Sequence, residues 1–116
     1  MTEHDDTLCV RDMLDAARQA IKISAGTNRA DLDAFDTETL ALRKLLEIMG
    51  EASRRTGSAF RERHPEIEWK SIAGMRDRLI HGYDRVDYDV LWDTCTNDLP
   101  HLAAKLERVL RDEIGE

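Results

Sequence analysis

Apolar residues recur along most of this chain at steps of three and four, the spacing that lines one face of an α-helix. Val10, Met13, Leu14, Ala17, Ala20 and Ile21 keep that rhythm and predict a first helix from Leu8 to Ser24. Gly26 supplies its stop, and residues 25–35 form a linker rich in turn formers. Asp36 is a good N-cap for a second helix, with Phe35 and Leu40 at the two positions of a hydrophobic staple. Leu42, Leu45, Leu46, Met49 and Ala52 make its apolar stripe, and Gly57 is expected to end it. The run His64-Pro65-Glu66-Ile67-Glu68-Trp69 reads as a helix start, with proline in the first turn and acids at the positive end of the dipole. The third helix then carries Trp69, Ile72, Ala73, Leu79 and Ile80 inward. A fourth begins near Asp87 or Asp89 and buries Leu91, Cys95, Leu99, Leu102, Leu106 and Val109; Pro100 must kink it or split it. There is no strand alternation, internal repeat or low-complexity tract. The pattern predicts an all-α fold: an antiparallel four- to five-helix bundle, with residues 1–116 forming a single domain.

Composition adds boundaries. With 116 residues, 41% hydrophobic and 35% charged, the chain can close a core without disulfides or metal. Cys9 and Cys95 lie far apart, and there is no signal-peptide pattern and no long apolar run. The expectation is a reduced, cytoplasmic protein with no membrane segment and no disulfide. A zinc site built from Cys95, His101, His64 and His81 has poor ligand spacing, so neither a metal nor another cofactor is expected.

The net charge of −7 argues against a general nucleic-acid binder, but the charge is unevenly distributed. Residues 54–85 hold Arg54, Arg55, Arg61, Arg63, Lys70, Arg76, Arg78 and Arg85 against Glu62, Glu66, Glu68, Asp77 and Asp84, a net of +3, so the remainder carries −10. A positive zone on an acidic body fits a small polyanion site such as an RNA backbone in a cleft; it also fits a solvated, salt-bridged surface.

The chemistry concentrates at Arg76-Asp77-Arg78-Leu79-Ile80-His81-Gly82-Tyr83. Arg76 lies four residues after Ile72 and three before Leu79, which on a straight helix places it on the apolar stripe. A guanidinium keeps its charge there, so it needs an anion: a protein carboxylate or a ligand phosphate. His81 is five residues on, about 140° away on an ideal helix. Gly82 lets the chain leave the helix near His81, so that the imidazole can swing toward Arg76. Asp77, one turn before His81, is placed to orient the ring or hold its proton. A histidine in that place also serves as a C-terminal cap. A permanent cation beside a group that titrates near neutrality is the minimum kit for metal-free RNA cleavage. Histidine moves a proton while the 2′-hydroxyl attacks phosphorus, and arginine holds the dianion. One chain offers one such pair, so a two-fold dimer would supply both acid and base. Tyr83 reads either as a lid or packing residue, or as a modification acceptor.

The run from Arg76 through four residues to His81, Gly82 and Tyr83 matches the Arg-x4-His-x-Tyr motif of the HEPN superfamily. With His64-Pro65-Glu66-Ile67, Trp69, Ile72-Ala73-Gly74-Met75, Leu91-Trp92 and Asn97-Asp98-Leu99-Pro100 around it, the chain most resembles the HepT-like branch. The resemblance covers essentially the whole chain and is densest over residues 64–110. It implies an all-helical homodimer with the motif lining a cleft at the dimer interface, and an RNA-cutting toxin of a toxin–antitoxin pair. The implied partner is an MNT-type minimal nucleotidyltransferase that neutralises the toxin by transferring AMP onto the motif tyrosine, here Tyr83. Arg76 and His81 carry over as the catalytic pair, with Asp77 at a supporting polar position. Glu68 departs from the pattern, because proline is expected before Trp69. A reading from a different class is a non-catalytic helical dimer that binds and regulates the nucleotidyltransferase, with Arg76 and His81 only holding nucleotide or partner.

Overall fold

The structure is a computed structural model that describes residues 3–81 and 85–115, with side chains omitted at Glu3, His4 and His81. It is an all-α bundle. Helix α1 (Glu3–Ala25) packs chiefly against α2 (Thr37–Arg55) and against α7 (Leu99–Ile114). Shorter segments join α2 to α7: α3 (Ser58–Arg63), α4 (Trp69–Ala73), α5 (Met75–Leu79), a two-residue antiparallel ladder of β1 (Ile80–His81) with β2 (Arg85–Val86), and α6 (Tyr88–Asp93). The core is made by the predicted stripes. Val10, Met13 and Ala17 of α1, Leu42, Leu46 and Met49 of α2, and Leu99 and Leu106 of α7 are fully buried, with Phe60 and Leu91 from the short helices. Removing that apolar surface from water is the main drive to fold, at roughly 25 cal/mol per Å². Among the described residues no helix is long and apolar enough to cross a membrane.

Several boundaries fall where side-chain chemistry places them. Asp36 caps α2, accepting from the Thr39 amide at 2.9 Å and from its hydroxyl at 2.8 Å. Those donors hold the Asp36 carboxyl below its ordinary range. The expected staple between Phe35 and Leu40 does not form: Phe35 is 91% exposed and Leu40 46%. The Asp33 carboxylate accepts from the Phe35 and Asp36 amides at 3.0 and 2.9 Å, and this tight turn faces Phe35 outward. Leu32 takes the buried place in the linker instead.

Helix α2 ends before Gly57, at its extended C-cap Thr56, and Gly57 has another place. It N-caps α3, a short helix not expected from the pattern, and donates its amide to Oδ1 of buried Asp6 at 2.8 Å. Pro65 sits in the turn that follows, and the next helix starts only at Trp69. That turn closes without proline at 68: Trp69 N–H donates to the Ile67 carbonyl at 3.0 Å and its indole to the His64 carbonyl at 3.0 Å. Pro100 is accommodated by splitting the last helix. A π-helical turn over Thr94–Asp98 intervenes, and α7 then begins with Pro100 in its first turn, where a missing N–H costs nothing.

Candidate active-site groove

Gly50 sets the depth of the groove. A Cβ built there would lie 3.2 Å from the Ile72 carbonyl oxygen and 3.5 Å from that of Ala73, so any other residue requires α2 and α4 to give by a few tenths of an ångström. One turn on, buried Ser53 donates to the Trp69 carbonyl at 2.7 Å and fixes the start of α4 on the same face of α2. Its end is fixed by Arg54, whose guanidinium donates to the Ala73 carbonyl and to Glu51. A cation on the last carbonyl of a helix satisfies an acceptor that the helix itself cannot.

The third predicted helix does not run straight. Gly74 ends α4 and begins α5, with φ −90° and ψ 6°, outside helical geometry. The break resets the phase, and α5 buries Met75 and Leu79, four residues apart. Arg76, Asp77 and Arg78 are therefore exposed. This corrects the projection that set Arg76 on the buried stripe. A five-residue helix can bury two apolar side chains and leave its guanidiniums in water, which avoids the cost of a desolvated charge. No internal carboxylate is required, and among the described residues no hydrogen bond or ion pair holds Arg76. Arg78 turns to the other side and donates to Ser71 Oγ at 3.0 Å.

After Leu79 the chain leaves the helix, as the glycine at 82 led one to expect. Ile80 pairs with Val86 and His81 with Arg85, and Asp87 N–H donates to the Leu79 carbonyl at 2.7 Å. The His81 backbone thus follows α5 directly. Tyr83, proposed as the modification acceptor, lies outside the described residues, and so does the His81 side chain. The structure places Arg76 and Asp77 side by side on α5.

Arg76 stands between two hollows of one groove. On one side is a cleft of about 310 Å³ lined by Glu47, Gly50, Glu51, Arg54, Ala73 and Asp77, with Leu46 beneath. On the other is a hollow of about 120 Å³ lined by Arg43, Glu47, Leu79 and Ile80. The α2 residues of this groove were missed from the sequence. The available signal was Gly50 within a run of strong helix formers, which marks a close backbone approach.

Neither cysteine offers thiolate chemistry. Burial pushes the Cys95 thiol up to about 12 and raises Cys9 as well, and both thiols are free and buried. Among the described residues no group of three or more His, Cys, Asp or Glu is placed to hold a metal ion.

Comparison with known proteins agrees with the motif. Residues 13–109 match the family model described as "Ribonuclease HepT-like". A protein of Thermococcus cleftensis named "Probable ribonuclease HepT" is 41% identical over 103 residues, covering 85% of this chain and 94% of that protein. A Methanocaldococcus jannaschii protein named as a "Putative RNase" is 34% identical over 112 residues, covering 94% of this chain and 100% of that protein. No solved structure matches the chain.

Proposed function

The chain belongs to the HepT-like family, and on that premise we propose that it is a metal-independent endoribonuclease, the toxin of a HEPN/MNT toxin–antitoxin pair. The observation that carries the reading is Arg76: an exposed guanidinium with no carboxylate partner among the described residues, lining a groove, whose helix runs directly into the strand that holds His81. In the proposed reaction the RNA 2′-hydroxyl loses its proton to an imidazole and attacks the adjacent phosphorus. The 5′-oxygen leaves with a proton from a second imidazole, and a 2′,3′-cyclic phosphate remains. Arg76 holds the pentacoordinate dianion in a two-point grip. His81 of each of two copies supplies base and acid, which makes the active form a homodimer. Asp77 supports the pair electrostatically. The MNT-type partner silences the toxin by transferring AMP onto Tyr83, which sets an anion near the substrate phosphate and bulk at the mouth of the site.

The test is cleavage of single-stranded RNA in EDTA. Cutting is expected to persist, to leave a cyclic phosphate and to spare DNA of the same sequence, which lacks the 2′-hydroxyl. His81→Ala should lower the rate by about 10²–10⁴-fold without lowering the melting temperature. Undiminished cutting by that variant removes His81 from the mechanism. No cutting under any condition, with retained binding to the nucleotidyltransferase, favours the non-catalytic reading. Intact mass after incubation with partner and ATP should rise by AMP units, and Tyr83→Phe should abolish the rise.

A further inference from the structure

The charges that line the groove are not equally committed. Glu47 faces Lys44 at 3.6 Å, and Glu51 is paired with Arg54, which also caps α4. Arg43 and Arg76 are different. Among the described residues neither has a hydrogen bond or ion pair, yet both line the same 120 Å³ hollow. Its floor is the apolar Leu79 and Ile80. Glu47 lines the same hollow but faces Lys44 and, among the described residues, pairs with neither guanidinium, so the hollow keeps a net positive charge and two like charges that repel. An anion bound between them relieves the repulsion, and the hollow is large enough for a phosphate group. Arg43 also sits one turn before Glu47 on α2, a rigid helix fixed at Gly50 and Ser53, so its place relative to Arg76 is set by the fold.

We propose that Arg43 is a second phosphate-binding residue, which together with Arg76 holds the backbone of the RNA strand next to the scissile link. The proposal rests on the ribonuclease reading. It assigns Arg43 to binding and positioning, apart from proton transfer. The hollow lies on the side of Arg76 where β1 begins, so the strand is gripped beside the reacting link.

The test uses 2′-O-methyl RNA, which cannot cleave itself, together with cleavable RNA of the same sequence. Arg43→Ala should weaken binding of the 2′-O-methyl strand about tenfold near 0.1 M salt and lower the slope of log affinity against log salt by about one phosphate contact. Arg43→Lys should restore the slope. With cleavable RNA, KM should rise while kcat stays within a few-fold. Unchanged affinity and slope in Arg43→Ala, beside normal cutting by the wild-type protein, overturn the proposal and leave the ribonuclease reading standing. A change of association state in sedimentation, explaining the lost binding, makes Arg43 an interface residue and also overturns it. A wild-type protein that neither binds nor cuts RNA ends both readings together.

Discussion

At the scale of single residues, the groove depends on an absent side chain. Gly50 brings α2 against the carbonyls that end α4, and a branched side chain there has only backbone to push against. Gly50→Val should destabilise the protein by about 1–3 kcal/mol through overpacking, read as a lower denaturant midpoint with an unchanged slope. The same residue shows what a sequence conceals. A glycine in a helix announces that something comes close, but only the packed chain says that it is Ile72 and Ala73. Arg76 conceals more. Counted in steps of three and four from Ile72, it belongs on the buried face. Gly74 interrupts that count, and a single non-helical residue moves the guanidinium from core to water. The motif Arg76–His81–Tyr83 was legible because it is a matter of residue identity and spacing, whereas its surroundings depend on a break in phase that identity alone does not disclose.

Elements are held to one another by a few polar ties. The clearest joins the end of α7 to the turn after α3. Glu113 accepts from His64 Nε2 and from Arg63 at 3.1 Å, while His64 Nδ1 faces Glu66 at 3.3 Å. The ring of His64 also lies 4.8 Å from that of Phe60, so this tie sits on the core. The hydrogen bond from His64, then those from Arg63, hold the Glu113 carboxyl below its ordinary 4.5. A carboxyl lowered in the folded state contributes stability that is complete above its unfolded value and is lost as pH falls through the folded one. The wild-type protein should therefore lose stability below pH 4.5. Glu113→Gln should be less stable near neutrality and show a shallower decline in acid, measured by chemical denaturation across that window. The long helices α1, α2 and α7 were legible as elements because each repeats its apolar stripe over several turns. The short α3 and the π-helical turn were not, since six or five residues carry too few repeats for a period to show. The Pro100 position was readable as a break, but the extra residue that the π turn absorbs was not.

For the whole molecule, the decisive property is that both thiols lie inside the bundle and outside the lining of the groove that holds Arg76. Cys9 and Cys95 come from α1 and from the π turn, and both are sealed by the bundle. Burial also keeps them protonated at neutral pH. Neither should react with an aromatic disulfide reagent in the native protein, and both should react at the rate of global opening when denaturant is added. Rapid labelling of the native chain would contradict that arrangement. The acidic net charge of −7 and the basic stretch over residues 54–85 are also reconciled. Part of the basic stretch serves structure, since Arg54 caps α4, Arg63 ties α7 and Arg78 holds Ser71. A structural role for the charge thus holds for these three arginines, and the polyanion proposal rests on Arg76.

The small ladder that follows α5 has a wider consequence. Ile80 with Val86, His81 with Arg85, and the bond from Asp87 to Leu79 clamp both ends of the motif's tail onto the bundle. The chain that leaves α5 is thereby tied to the chain that enters α6, and the two short helices are held as one unit on the bundle. A change that loosens α6 is therefore felt at α5, and the guanidinium of Arg76 moves with it.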